Sequence, residues 1–122
     1  MTKSVFLVED ELLVAMEIQD LIEEAGLTAD GPYPTIEKAG KALQEANPAC
    51  AILDVRLRDG EVFPVADVLR DSGVPLIFHS GHAVAEDILK RYPTATFCEK
   101  PCTPSQILRA VASLMGRDTK VA

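Results

Sequence analysis

The chain has 122 residues, 48% of them hydrophobic and 25% charged, the make-up of one globular domain, which excludes a disordered or fibrous polymer. Twelve Lys and Arg against nineteen Asp and Glu leave a formal charge of −7, so a phosphate backbone or an anionic lipid face is repelled on average, and neither nucleic acid nor membrane is an expected partner. The apolar runs are too short for a signal peptide or a membrane span, and the cysteines Cys50, Cys98 and Cys102, odd in number and unpatterned, fit reduced thiols in the cytoplasm.

Short apolar runs alternate with helix-period segments from end to end, the pattern of strand-helix units on a parallel sheet. Residues 5–8 are the first expected strand. Residues 11–25 come next as an amphipathic helix, with Val14, Ile18, Leu21, Ile22 and Ala25 on one face and Glu17, Asp20, Glu23 and Glu24 on the other, ended by Gly26. A weaker strand at 28–31 leads to a second helix at 36–46, N-capped by Thr35 and stopped by Asn47-Pro48. The third strand is 50–53. Beyond the Asp59-Gly60 turn, a third helix starting near Val62 or Phe63 keeps Pro64 in its first turn and ends at Gly73. The fourth strand is 76–78, its helix runs from 83 to 92 before Pro93, and the fifth strand is 95–98. The last helix is the best marked: Thr103 and Gln106 are spaced as a capping box, Pro104 takes the first helical position, and Ile107, Leu108, Val111, Leu114 and Met115 lead to Gly116. Each strand run is continuously apolar, as in buried parallel strands. The expectation is a single α/β domain over residues 1–122.

In a doubly wound sheet, ligands bind at the carboxyl ends of the strands. The first run ends in Glu9-Asp10, with Glu11 opening the helix; the third ends in Asp54, the fourth in Ser80-Gly81 and the fifth in Lys100-Pro101. Carboxylates converging from two strands repel one another unless a cation sits among them. An all-oxygen donor set with room for water favours Mg2+ over zinc. With Lys100 as a second positive charge and Ser80 as a hydroxyl donor, these residues describe a pocket for a phosphoryl group on a carboxylate nucleophile. Each alone has an ordinary reading, since acids favour a first helical turn, serine before glycine is common turn chemistry, and lysine can snorkel to solvent. Their joint placement is what points to chemistry. His79 and His82 lie around one strand end without a further soft ligand and are expected at the surface, and the cysteines are expected as small buried hydrophobes.

Phe6-Leu7-Val8-Glu9-Asp10-Glu11, then Ala51-Ile52-Leu53-Asp54-Val55-Arg56-Leu57, then Ser80-Gly81 and Lys100-Pro101 resemble, in order and spacing, the receiver domain of two-component response regulators over essentially the whole chain. The resemblance implies a five-stranded parallel sheet of order 2-1-3-4-5 flanked by five helices, the flavodoxin-like receiver fold. It implies that Asp54 accepts a phosphoryl group, with Mg2+, from a histidine kinase or histidine phosphotransfer protein, and that the output is contact with an unidentified protein. Asp10 and Asp54 would bind the metal directly, with the backbone carbonyl of Arg56 as a further ligand and Glu9 acting directly or through water. Lys100 would pair with the phosphoryl oxygens and Ser80 would hydrogen-bond one of them. Phe97 occupies the place of the aromatic rotamer switch, where a phenylalanine can signal only through packing. A cis bond at Lys100-Pro101 is also implied.

A finer resemblance links Gly31-Pro32, residues 62–67 and residues 75–82 to single-domain receivers whose fourth strand reads Pro-Phe-x-Phe-Ala-Thr-Gly-Tyr, a subgroup associated with alphaproteobacterial kinases; Leu76, His79, Ser80 and His82 depart from it. The expectation is therefore a stand-alone bacterial receiver, a signalling domain without an effector domain rather than a turnover enzyme. Two alternatives share part of its chemistry. One is a phosphate sink that drains a shared kinase. The other is an aspartate-nucleophile phosphatase of the haloacid-dehalogenase type, but Arg56 stands where such enzymes carry their second aspartate. A flavin or nucleotide binder would need a glycine-rich first loop, and Glu9-Asp10-Glu11 stands there instead.

Overall fold

The computed structural model describes residues 3–81, 85–100 and 102–119. Its elements are β1 (Ser4–Val8), α1 (Leu12–Glu24), β2 (Thr28–Tyr33), α2 (Ile36–Leu43), β3 (Cys50–Leu53), β4 (Arg56–Leu57), β5 (Gly60–Glu61), α3 (Phe63–Asp71), β6 (Leu76–Ser80), α4 (Ala85–Arg91), β7 (Thr96–Glu99) and α5 (Pro104–Thr119). The five main strands pair in parallel in the order β2-β1-β3-β6-β7. Setting aside the small antiparallel β4–β5 hairpin, this is the expected 2-1-3-4-5 order. Strand pairs of two residues carry no periodic signal, so only the Asp59-Gly60 turn inside the hairpin is legible in advance.

Although the strands read as continuously apolar, their side chains still alternate between two cores. Phe6, Val8, Leu53, Leu76 and Phe78 pack toward Ala39 of α2, Val65 and Leu69 of α3, and Ile88 of α4. Val5, Leu7, Ile52 and Ile77 pack toward Ile18 and Ile22 of α1 and Ile107, Val111 and Leu114 of α5. Both faces are covered, which is why the polar residues of the inner strands β1, β3 and β6 gather at the strand ends, whereas the edge strand β2 carries Asp30 within it.

The helix ends obey local chemistry. Thr35 Oγ1 accepts from Lys38 N at 3.1 Å, and the expected capping box closes with Gln106 N donating to Thr103 Oγ1 at 3.2 Å and Thr103 N to Gln106 Oε1 at 2.8 Å. α2 stops at Leu43, short of 46, because the amides of Gln44, Glu45 and Ala46 turn back to Lys41, Ala42 and Leu43, three residues each. α5 runs through Gly116 to Thr119, since one glycine costs a helix only about 1 kcal/mol and does not by itself end it. On α1 the buried residues are Ala15, Ile18 and Ile22. Ala25 lies past the last turn and is exposed. Leu12, Leu13 and Met16 face outward, 69%, 81% and 50% exposed.

β2 runs two residues beyond its expected end, and Gly31 within it has φ +121°, where a Cβ would stand 2.5 Å from the Leu7 carbonyl oxygen. Only glycine permits that approach. The Gly31–Pro32 peptide is cis; the Lys100–Pro101 bond, His82 and the expected start of the fourth helix lie outside the described residues.

The end of α4 is latched to α3. Tyr92 is buried, donates its hydroxyl to Asp67 Oδ1 at 2.6 Å and meets the Phe78 ring at 5.0 Å between centroids. Arg91 donates to the other Asp67 oxygen at 2.9 Å. Tyr92→Phe removes one donor while Arg91 still serves Asp67, so the expected loss is about 1 kcal/mol, read as a lower urea midpoint at unchanged m-value.

Candidate functional site

Strand register assembles the site. Val8 pairs with Leu53 and Ser80 with Glu99, so the residues after β1, β3 and β7 emerge at one edge. Asp54 N donates to Val8 O at 2.9 Å, Glu9 N to Tyr33 O at 3.0 Å and Lys100 N to Ser80 O at 3.0 Å, which extends the ladder far enough to fix these side chains. Alternation puts Glu9 in phase with Val5 and Leu7, Asp54 with Ile52, and Lys100 with Cys98, all toward the side covered by α1 and α5.

There Lys100 Nζ lies 3.2 Å from Glu9 Oε1 and 3.5 Å from Asp54 Oδ2. Glu9 and Asp54 are buried, 2% and 5% exposed, and Asp10 is half-buried. One carboxylate oxygen from each of Glu9, Asp10 and Asp54 falls within 4.8 Å of the others. A cavity of about 630 Å³ opens over Asp10 and Asp54, bordered by Arg56, Ser80 and Lys100, with Val14, Ile18 and Ile107 as an apolar wall.

The electrostatics arise from crowding three acids together with one ammonium, which pairs with Glu9 and Asp54. Burial first, and Asp54 beside it second, push Glu9 up to about 7. Asp54 is also raised, by burial, although contacts with Glu9 and Lys100 oppose the rise. For this pair the direction that matters is upward on Glu9, raised by burial and by the neighbouring Asp54. Burial alone would lower Lys100, yet Glu9 and Asp54 outweigh it and the ammonium is held charged. The donor set fits a hard divalent cation: all oxygen, net negative, and including Glu9 Oε1, a buried atom without a hydrogen-bond partner.

Of the residues singled out in the sequence, Glu9, Asp10, Asp54 and Lys100 come together, and Ser80 and exposed Arg56 border the same cavity. Phe97 does not. It pairs with Phe78 in register and packs, half-buried, against the opposite core. Cys50 is buried, while Cys98 and Cys102 are half-buried and pack against the α1/α5 core. Burial, then contact with Cys98, pushes the Cys102 thiol up to about 12, which favours the protonated thiol.

His79 is the correction. Expected at the surface, it is 3% exposed and borders the cavity. β6 extends to Ser80, and two residues after Ile77 the imidazole returns to the α1/α5 side. Burial, then the nearby Lys100 charge, pulls it down to about 4, so the ring is neutral at physiological pH. Period-two alternation from Ile77 is the signal that would have found it. The apolar wall of Val14, Ile18 and Ile107 is legible in the sequence only as the inner faces of two helices.

No family model matches the chain. The phyllosphere-induced regulator PhyR of Methylorubrum extorquens is 27% identical over 118 residues; the match takes in 94% of this chain, which spans 44% of that curated relative's length. The response regulator receiver protein of Sinorhizobium medicae WSM419 superposes with a TM-score of 0.84 at 26% identity, over 94% of this chain and 95% of that one. SdrG from Sphingomonas melonis Fr1 is 31% identical, with a TM-score of 0.76, over 93% of this chain and 97% of that one. The chain belongs to the response regulator receiver domains. Receiver domains serve phosphorelay signalling, and in this one the acidic pocket of Glu9, Asp10 and Asp54 could hold a metal.

Proposed function

We propose that this receiver domain, residues 1–122, accepts a phosphoryl group on Asp54 from a histidine kinase or histidine phosphotransfer protein and passes the signal on through protein contacts. The observation that carries the reading is the ammonium of Lys100 at 3.5 Å from Asp54 Oδ2 within a cluster of three carboxylates. An Asp54 oxygen attacks the phosphorus, the phosphorus–nitrogen bond to the donor imidazole breaks, a phosphorus–oxygen bond to Asp54 forms, and the imidazole leaves with a proton. Asp10, Asp54 and the backbone carbonyl of Arg56 would hold Mg2+, with Glu9 acting directly or through water, and the cation when bound would neutralise the phosphoryl charge. Lys100 exchanges its carboxylate partners for phosphoryl oxygens. Ser80, buried at the cavity edge, offers a hydroxyl to one of them, and Phe97 responds by packing.

A donor protein needs a place to sit. The outward Leu12, Leu13 and Met16 open α1 directly after Asp10 and Glu11 of the cavity rim, an apolar platform beside a charged opening. Leu13→Glu is expected to slow transfer from a phosphorylated histidine domain about tenfold, the worth of one good anchor. Acetyl phosphate, too small to need the platform, should react at the unaltered rate. Equal rates from the protein donor would place docking elsewhere.

The direct test is intact-protein mass spectrometry after incubation with acetyl phosphate, with Mg2+ and with a chelator. A single phosphoryl adduct that requires Mg2+ is the expected result. A metal-bound chain that forms none, from acetyl phosphate or from a phosphohistidine donor, refutes the reading.

A further inference from the structure

The cavity contains a group that the proposed transfer does not use. His79 projects from the middle of the sheet edge with both ring nitrogens buried and without a hydrogen-bond partner. Across from it, Glu9 Oε1 is buried and likewise lacks one. The two face each other, with Nδ1 3.9 Å from Oε1, too far for a hydrogen bond and about 1 Å from making one. They are complementary, for imidazole offers an N–H and a carboxylate accepts.

Packing alone does not account for the histidine. Its strand neighbours on the same face and in register are Ile77 and Cys98, and an apolar side chain at 79 would continue that core without leaving two polar nitrogens unsatisfied. What it faces is a carboxylate oxygen without a hydrogen-bond partner of its own. Among the described residues, Glu9 Oε2 is held by the Glu11 amide at 3.1 Å and reached by Lys100 at 3.4 Å, while Oε1 forms an ion pair with Lys100 at 3.2 Å. In the proposed reaction Lys100 turns to the phosphoryl group, and His79 stays beside Oε1.

We infer that His79 is a positioning residue for Glu9, donating from Nδ1 to Oε1 and so holding the carboxylate oriented toward the divalent cation. The proton is assigned to Nδ1 because that nitrogen faces the carboxylate. Ligands whose outer partners are removed typically lose metal affinity by 10–100-fold. The inference rests on the reading of Glu9, Asp10 and Asp54 as the metal site.

The test is Mg2+ affinity, measured by NMR titration of the folded chain without any phosphoryl donor. The series is wild type, His79→Leu, His79→Asn, Glu9→Gln and the double variant His79→Leu with Glu9→Gln. Leucine fills the space without a donor, whereas asparagine returns an N–H near the place of Nδ1. The expected result is a loss of about tenfold or more in His79→Leu and recovery to within about threefold in His79→Asn. In the Glu9→Gln background the His79→Leu step should cost nothing further. On Mg2+ addition the imidazole nitrogens should report the Nδ1–H form. Unchanged affinity in His79→Leu overturns the inference, and so does an equal loss in both histidine variants, which would make the residue packing only. Should His79→Leu fail to fold, His79→Val takes its place as a side chain equally without a donor, and the same two outcomes decide. If Glu9→Gln also binds Mg2+ as tightly as wild type, the reading of the metal site falls first, and the two failures are thereby told apart.

Discussion

Asp54→Ala is expected to take up no phosphoryl group from acetyl phosphate while remaining folded and able to bind partners through α1. The site contains three carboxylates, but they are not equivalent. Glu9 is anchored through Oε2 to the Glu11 amide, and Asp10 has no lysine contact among the described residues, whereas Asp54 carries an oxygen paired to Lys100 and borders the open cavity. A nucleophile needs that combination of access and a cation to receive the group being transferred. The substitution also removes one of two buried acids that repel each other, so Glu9 ionises more readily beside Lys100, and the metal-free variant should match or exceed the wild type in melting temperature above pH 7. Intact-mass and melting measurements read both effects. An adduct at the wild-type level in Asp54→Ala would assign the chemistry to another residue.

Removing the metal should matter more as the pH rises. Glu9 titrates near 7 in the folded chain against an ordinary 4.5, because of burial first and Asp54 second. Between those values the folded state binds the extra proton. The stability contributed by this group is therefore complete below about pH 4.5 and is lost as the pH climbs through 7. Asp54, also raised, acts in the same direction. A divalent cation replaces the proton, so its benefit has the opposite slope. With Mg2+ at a hundred times its Kd, the gain over chelator is about 2.7 kcal/mol at pH 8, on the order of 10 °C in melting temperature. At pH 6 protonation of Glu9 weakens binding about tenfold, which takes away about 1.4 kcal/mol of that gain. Thermal melts with Mg2+ and with chelator at the two pH values check this. Equal gains would mean that the metal displaces no proton from Glu9.

The sheet and most of the site are legible in the sequence because they rest on signals confined to short stretches. Apolar runs bounded by glycine and proline mark the strands, and the polar residue closing each run marks the edge where ligands gather, so Glu9, Asp10, Asp54, Ser80 and Lys100 can be named from the chain alone. The capping box at Thr103 is equally local. The features that escape depend on distant parts of the molecule. His79 escapes because its apolar run stops at 78, whereas the strand continues to Ser80, and one added step of alternation sends a polar ring inward. The outward Leu12, Leu13 and Met16 look in sequence like any hydrophobic helix opening, and only the packing of Ala15, Ile18 and Ile22 decides which side faces the sheet. Gly116 reads locally as a stop, although the helix carrying it has three core anchors, Ile107, Val111 and Leu114, before reaching it.

The order of the sheet also divides the site mechanically. The acids lie just beyond β1 and β3, strands hydrogen-bonded on both sides, while Lys100 lies just beyond β7, which has β6 on one side and ends the sheet. The negative floor is thus stiff and the positive wall compliant. When charge on the floor changes, the least costly adjustment is a small displacement of the outer strand. Phe97 lies on that same strand, on its opposite face, so a displacement of β7 begun at the ammonium would carry Phe97 with it without the floor having to deform.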